Sequence, residues 1–373
     1  MRLLYSSHTY LVNENQKKLA AIAALPDVSA LKVITPHQWK EPVLGVVPPH
    51  LDPQANFTVH PIPVWLTGNE MRFLYQSWGL GLAEFRPDVV VVENGAGAFA
   101  YTQFLRAQQR YAPQAKSVFF TWWNLPYRTR WPLSEVEKWN LRHSHGAIAG
   151  NQAAADILRD HGYTGPLLVL PQLGVDEVVF SPGESAALRQ ALGLQHTVIG
   201  YAGRLVLEKG LRVLLAALDD FPQPFDLVLL GRGPLAEEIR SWGAARPPHH
   251  RLHLLDSVPH TQVADYLRAM DIFVLPSLST TFWLEQFGHV LIEAMACAVC
   301  TVGSSSAEIP TVIGEAGVIV PEGDVAAWRD TLAALVNDPV RRTELGTAGR
   351  QRVLAYYTHP QIARQTVDFF KSL

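Results

Sequence analysis

The stretch Trp283-Leu284-Glu285-Gln286-Phe287-Gly288-His289-Val290-Leu291-Ile292-Glu293-Ala294-Met295-Ala296-Cys297 decides how the chain is read. Two carboxylates, Glu285 and Glu293, flank a Phe287-Gly288 step, and apolar residues follow the glycine with helical spacing. A glycine at a helix start exposes backbone N–H groups at the positive end of the helix dipole, where a phosphate can dock. Glu293 lies five residues further in, about 7.5 Å along a helix axis. That is roughly the reach from a diphosphate to the ribose it carries. A carboxylate there can accept from two ribose hydroxyls. Glu285, ahead of the helix, would meet a group on the other side of the diphosphate. The ligand this geometry describes is a nucleoside diphosphate carrying a hydroxyl-rich group.

Working outward, short apolar runs alternate with longer amphipathic segments, the pattern of parallel sheets covered by helices. In the first half, strands are predicted at Leu3–Ser6, Ala30–Ile34, Asp88–Glu93, Ser117–Thr121, Gly146–Ala149 and Leu167–Leu170, with helices such as Phe99–Arg110 and Asn151–Asp160 between them. The turn-rich stretch from Gly174-Val175-Asp176 to Ser181-Pro182-Gly183 reads as a linker. The alternation then restarts. Strands are predicted at Thr197–Tyr201, Leu227–Leu230, His253–Leu255, Ile272–Leu275, Cys300–Val302 and Val318–Val320. Helices include Gly210–Leu218, Pro234–Ala245, Thr261–Met270 and Gly288–Cys297. A final helix, from about His359 to Ser372, follows the second block and is expected to return to the first. The expected domains are therefore 1–172 plus about 358–373, and 173–357. Both are doubly wound and Rossmann-like, and they are expected to face each other across a cleft, with the ligand beyond the carboxyl ends of the strands.

The bulk properties narrow the class. The chain has 373 residues, 48% of them hydrophobic and 17% charged, enough for two well-buried cores. A net charge of -3 gives no reason to expect nucleic acid as a partner. Two cysteines, Cys297 and Cys300, exclude a disulfide framework and fit a reducing cytosol. The Cys-x-x-Cys spacing invites a redox reading, but these thiols sit at a helix C-terminus, which does not activate them. The start, Met1-Arg2-Leu3-Leu4-Tyr5, turns polar at Ser6 and carries no signal-peptide core. No apolar run has the length of a membrane span.

Further polar residues fall at strand ends in the second half. Gly203-Arg204 closes one predicted strand, and Glu208-Lys209-Gly210 opens the next helix. Arg204 and Lys209 are the two cations a departing diphosphate needs, because negative charge grows on it as its bond to the transferred group breaks. A turn with solvated charges is the plainer alternative. Gly231-Arg232-Gly233 follows the next strand, but a lone Gly-x-Gly is a weak signal, and the six-position dinucleotide fingerprint is absent. No Asp-x-Asp occurs, and no histidine cluster has metal spacing, so neither a metal nor another cofactor is expected.

Taken together, the run from Glu285 to Cys297, Gly203-Arg204 with Glu208-Lys209-Gly210, and Glu308-Ile309-Pro310 with Gly314-Glu315-Ala316-Gly317 resemble the Glu-x7-Glu signature of retaining glycosyltransferases of the GT-B fold, sequence family 4. Gly174-Val175-Asp176 resembles that family's turn at the interdomain linker. The resemblance covers roughly residues 165–335 well and the first half only in outline. It implies that Arg204 and Lys209 hold the donor diphosphate, and that Glu285 and the backbone of Phe287-Gly288-His289 approach the donor sugar. It further implies that Glu293 binds the ribose and that the base rests near Gly231–Gly233 and Val258–Pro259. It implies a UDP- or GDP-linked hexose donor and a metal-independent, front-face transfer with retention, in which the leaving phosphate takes the acceptor proton.

The chain departs from that family elsewhere. Its usual Ala-Cys-Gly-x-Pro is Ala296-Cys297-Ala298-Val299-Cys300 here. The glycine-rich acceptor loop is replaced by Ser6-Ser7-His8-Thr9-Tyr10, and the expected histidine after the fourth strand by Thr121-Trp122-Trp123-Asn124. His8, Glu93, Asn94 and Asn124 stand at strand ends and are the acceptor-side candidates. The acceptor is expected to be a saccharide, a glycolipid or a small metabolite. The cluster Trp122, Trp123, Tyr127, Arg128, Arg130 and Trp131 suits either inter-helix packing, the favoured reading, or a sugar-stacking or membrane-interface surface. The expected location is cytoplasmic, with peripheral contact at the inner face of the membrane left open. Two other readings keep the sequence pattern: a nucleotide-sugar epimerase on the same fold, and a nucleotide-sugar-binding protein without catalysis.

Overall fold

The computed structural model describes residues 1–41, 45–52 and 55–373. The chain forms two units, Met1–Gly174 together with His359–Leu373, and Val175–Thr358.

The first unit is built on a seven-stranded sheet. Its strands lie in the order Leu167–Val169, Gly146–Ala149, Lys116–Thr121, Val89–Val92, Arg2–Ser6, Ala30–Pro36 and Thr58–Ile62, all parallel. Parallel strands are buried on both faces and read as continuous apolar runs. Val89–Val92 is the clearest case: Val90 and Val92 join one core with Leu4, Phe104 and Phe119, while Val89 and Val91 join the other with Leu3, Tyr5 and Phe120. The helix His359–Lys371 packs on the helix Asn13–Ala23. It contributes Ile362, Ala363, Val367 and Phe370 to the second core.

The strand Thr58–Ile62 was not anticipated, nor were the small hairpins Trp39–Glu41 with Gly45–Val47 and Val64–Trp65 with Leu74–Tyr75. Thr58–Ile62 carries Pro61, which cannot donate to a ladder and argues against a central strand. The strand lies at the sheet edge, where proline is tolerated.

The second unit holds a six-stranded parallel sheet. Its order is His250–Leu255, Phe225–Leu230, Thr197–Ala202, Ile272–Leu275, Cys300–Ser304 and Val318–Val320. Chain direction across the sheet reverses between Thr197–Ala202 and Ile272–Leu275, the place where doubly wound sheets open a ligand crevice. The helix His289–Ala296 buries Leu291, Ile292, Ala294, Met295 and Ala296. A helix apolar nearly all round belongs inside a domain.

The stretch read as a linker is not a free connection beyond Gly174. Val175 N–H donates to Tyr357 O at 2.8 Å. Asp176 Oδ1 accepts from Val178 and Val179 N–H, each at 3.1 Å. Arg268 donates to Ser181 O and Val179 O, and Arg350 to Phe180 O and Glu177 O. The turn residues were read correctly as turns, but two guanidinium groups pin them to the second unit.

In the first unit the corresponding reversal lies between Arg2–Ser6 and Val89–Val92. A charged pair is buried beside it. Lys18 Nζ donates to Glu93 Oε1 at 2.5 Å, with side chains only 5% and 2% exposed. Removing one partner of such a pair costs about 3–5 kcal/mol, whereas replacing both costs far less. Lys18→Met should therefore lower the melting temperature strongly, and Lys18→Met with Glu93→Gln should recover much of the loss. Equal destabilisation by the single and the double variant in a thermal melt would contradict this.

Candidate functional site

The carboxyl ends of the central strands of the second unit gather most of the polar residues picked out by sequence. After Thr197–Ala202 the chain passes Gly203 and Arg204 and makes a short turn, Leu207–Lys209. Gly210 follows in the left-handed region at φ +69°, and a Cβ on it would sit 1.7 Å from Pro276 O. Only glycine lets these two loops cross so closely. Leu278 N–H donates to Glu208 O at 2.9 Å and fastens the same crossing.

This crossing brings Lys209 to Glu285. Lys209 Nζ donates to Glu285 Oε2 at 2.5 Å, and Ser277 Oγ donates to the same oxygen at 3.0 Å. Both charged side chains are largely buried, 15% and 9% exposed. The Lys209 ammonium also lies 4.8 Å from the centre of the Trp283 ring. Arg204 is different: its guanidinium is 64% exposed and makes one longer contact, 3.5 Å to Glu208 Oε1. The site thus has one largely buried cation and one exposed cation.

Gly231 and Gly233 belong to the same assembly for a packing reason. A Cβ on Gly231 would lie 1.9 Å from Gly203 O, and one on Gly233 would lie 2.3 Å from Leu205 O. Leu205 N–H donates to Arg232 O at 2.8 Å, which ties the two loops together. The glycines keep the rim of the sheet low enough for backbone to approach a ligand.

Gly288, at φ +76°, precedes the helix His289–Ala296. Phe287 is buried, and its ring lies 5.0 Å from that of His289. Burial pushes His289 below its ordinary value, Glu293 pulls it back up, and it stays neutral at neutral pH. Glu293, one turn further on, keeps its side chain 13% exposed and accepts from His260 Nε2 at 2.7 Å. His260 opens the helix His260–Arg268 directly after Val258 and Pro259. Sequence reasoning missed His260, Ser277 and Trp283. Trp283 was within the decisive stretch, but nothing in the spacing reveals that it covers Lys209.

In the first unit the four acceptor-side candidates divide. His8 and Asn94 meet: Asn94 Nδ2 donates to His8 Nδ1 at 3.1 Å. That assigns the proton of the neutral ring to Nε2. His8 also stacks on Trp39 with ring centres 4.7 Å apart. Burial lowers His8 to about 4. At neutral pH its Nε2–H is a hydrogen-bond donor rather than a base.

Glu93 faces inward and serves in another capacity. Besides Lys18, its carboxylate accepts from Tyr10 OH and Gln172 Nε2, each at 2.6 Å. Gln172 Oε1 in turn accepts from Trp122 Nε1 at 2.8 Å. A buried carboxylate with this set of partners holds strand ends together. Asn124 is buried too, at the foot of the loop after Lys116–Thr121.

The aromatic and basic cluster also divides. Trp122 packs where a Cβ on Gly150 would lie 1.9 Å from its ring. Tyr127 and Thr129 donate to Glu137, which His161 Nδ1 also contacts. Those residues are packing. Trp123 and Trp131 are 49% and 80% exposed.

Residues 186–352, within the second unit, match the family model described as glycosyl transferases group 1. The chain is 30% identical over 261 residues to alpha-maltose-1-phosphate synthase of Mycolicibacterium smegmatis, covering 64% of this chain and 66% of that protein. It is 32% identical over 213 residues to a D-inositol 3-phosphate glycosyltransferase of Xylanimonas cellulosilytica, covering 53% of this chain and 50% of that one. It is also 32% identical over 231 residues to phosphatidyl-myo-inositol mannosyltransferase of Mycobacterium leprae, covering 58% and 57%. The chain thus spans between half and two thirds of the length of these relatives.

The fold is GT-B. It matches sucrose-phosphate synthase of Thermosynechococcus elongatus at a TM-score of 0.74 and 18% identity, over 100% of this chain and 98% of that one. It matches Anabaena HepE, solved in complex with UDP, at a TM-score of 0.76 and 17% identity over 100% of both chains.

Among the described residues, no three His, Cys, Asp or Glu side chains converge to hold a metal ion. None of their helices is long and apolar enough to cross a membrane. Cys297 and Cys300 are free and buried, and burial pushes both thiols up to about 12. The native chain should therefore resist a thiol-labelling reagent at pH 8 and take up two equivalents once unfolded. Rapid labelling of the native chain would reopen the redox reading.

His8 gives a second test. Its folded value lies below the ordinary imidazole value of about 6.5, so the unfolded chain binds more protons between the two. The stability from keeping the ring neutral is present above about 6.5 and is lost as pH falls towards 4. The wild-type melting temperature should fall more steeply over that window than that of His8→Gln. Parallel slopes would count against the enclosed, neutral ring.

Proposed function

We propose that this chain transfers a hexosyl group from a nucleoside diphosphate sugar to an acceptor hydroxyl, with retention at the anomeric carbon and without a metal. One observation carries the reading. A Lys209–Glu285 pair, 2.5 Å apart, lies at the reversal point of the sheet in the segment that matches glycosyl transferases group 1, with the exposed cation Arg204 and the helix start at Gly288 on the same rim.

In this reading Lys209 is pre-positioned by Glu285 and Ser277. The diphosphate takes over as its counter-ion, and Arg204 swings in from solvent. Together with the helix start they offset the charge that grows on the leaving diphosphate. Freed from Lys209, Glu285 faces the donor sugar. Glu293 accepts from the ribose hydroxyls, and the nucleoside base, uracil or guanine, rests along Gly231–Gly233 and Val258–Pro259. Low backbone at Gly203, Gly231 and Gly233 and at Phe287-Gly288-His289 lets the donor lie close to the protein. No side chain here is assigned as the base: the leaving phosphate oxygen accepts the acceptor's proton on the same face.

The acceptor is a polyol, a saccharide or a glycolipid headgroup. The names of the relatives, with inositol phosphate and phosphatidyl-inositol among them, support that range. His8 Nε2–H, Asn94 and Asn124 are the groups proposed to orient its hydroxyls, and the exposed Trp123 and Trp131 would suit a peripheral contact with the inner face of a membrane. A cytoplasmic setting is part of the same proposal.

Removing a preorganised group that meets developing charge lowers turnover by about 10²–10³. Arg204→Ala and Lys209→Ala should each do so in an assay of UDP or GDP release from the nucleotide sugar with an acceptor extract, and Arg204→Ala should leave the melting temperature unchanged. Wild-type turnover in both variants would remove the assignment. Isotope-labelled nucleotide sugar incubated without acceptor should come back unaltered; a changed sugar would favour an epimerase.

A further inference from the structure

His260 joins the helix that follows Val258 and Pro259 to the helix that carries Glu293. It occupies the first position of the helix His260–Arg268, whose cap at Pro259 makes no side-chain hydrogen bond. Its side chain is 43% exposed, so it adds little to a core. Its ring leans on Phe180 with centres 5.2 Å apart and 48° between planes, which fixes its direction. In that direction Nε2 reaches Glu293 Oε1 at 2.7 Å, across a sequence separation of 33 residues. The other imidazole near Glu293, His289, is held neutral by burial and sits a turn earlier on the same helix.

We propose that His260 is a positioning residue for nucleotide recognition: by donating from Nε2 to Oε1 it fixes the Glu293 carboxylate so that Oε2 and the remaining lone pair of Oε1 receive the two ribose hydroxyls. This rests on the reading of Glu293 as the ribose carboxylate. A glutamate on a helix has three freely rotating side-chain torsions, and a carboxylate that must be ordered on binding gives up part of its contact energy. His260 removes that loss before the nucleotide arrives. The residue acts through Glu293 and touches neither the sugar nor the diphosphate.

The test is titration calorimetry on the full chain with UDP and GDP, and with the 2′,3′-dideoxy form of whichever binds. Hydrogen bonds to a charged group are stronger than those between neutral groups. Wild-type protein should therefore prefer the ribose form by about tenfold or more. In His260→Ala the affinity for the ribose form should drop by about fivefold to tenfold while the dideoxy form binds as before, so that the preference nearly disappears. His260→Gln keeps a donor of similar reach and should restore most of it. Unchanged melting temperatures in both variants separate the effect from unfolding.

The outcomes are distinct. If Glu293→Ala abolishes the ribose preference and His260→Ala leaves it intact, this inference falls and the donor site stands. The same follows if His260→Ala weakens both forms equally, because His260 then acts outside the ribose. If neither diphosphate binds, or Glu293→Ala has no effect, the ribose reading itself fails and the role of His260 goes with it.

Discussion

The second unit is organised around one short ion pair. Lys209 and Glu285 belong to loops that follow different strands, and they are 76 residues apart in the chain. They meet because Gly210 has no Cβ to collide with Pro276 O. Neither charge would be stable there alone, since an isolated buried charge loses far more hydration than the fold can return. The pair is tolerated because each partner neutralises the other and Ser277 supplies a further hydrogen bond. In the function proposed above, an arriving diphosphate replaces the carboxylate as the lysine's counter-ion, and the carboxylate then meets the donor sugar.

The first unit repeats the plan with a different outcome. Its sheet also reverses direction between its first and fourth strands, and a Lys–Glu pair of the same 2.5 Å length sits beside the reversal. There the pair is sealed by Tyr10 and Gln172, and the rings of Tyr5, Tyr10 and Phe120 stand about Lys18 at 5.6, 5.7 and 6.0 Å. An anion has no way to displace Glu93 from that setting. The Lys209–Glu285 pair keeps 15% and 9% of its side-chain surface exposed, against 5% and 2% for Lys18 and Glu93.

Sequence made much of this legible. Every central strand was located because strands buried on both faces are unbroken apolar runs, as in Val89–Val92 and Ile272–Leu275. The strand-end and helix-start placement of Arg204, Lys209, Glu285, Gly288 and Glu293 was readable because such ends have local signatures, and a parallel sheet sends them to one rim. Thr58–Ile62 is hard to read as a strand because it carries Pro61, which only an edge strand tolerates. Partners were out of reach for another reason. His260 is 33 residues from Glu293, and Lys18 is 75 residues from Glu93. A pairing between distant positions leaves no mark in local spacing, so Glu93 was readable only as a strand-end acceptor candidate and His260 was not singled out at all.

The order of the chain has a consequence for how it is made. The second unit is one continuous stretch, but the first is completed only by His359–Lys371, which follows all of it. On the ribosome, Tyr5, Ile22 and Phe120 wait for Ile362, Val367 and Phe370 until 184 intervening residues, 175 through 358, have been synthesised. At a synthesis rate of about 5–20 residues per second, the N-terminal half carries an uncovered apolar face for roughly ten seconds or more. The part of the chain made first is the last to be finished, and chaperone dependence during synthesis should concentrate on that face.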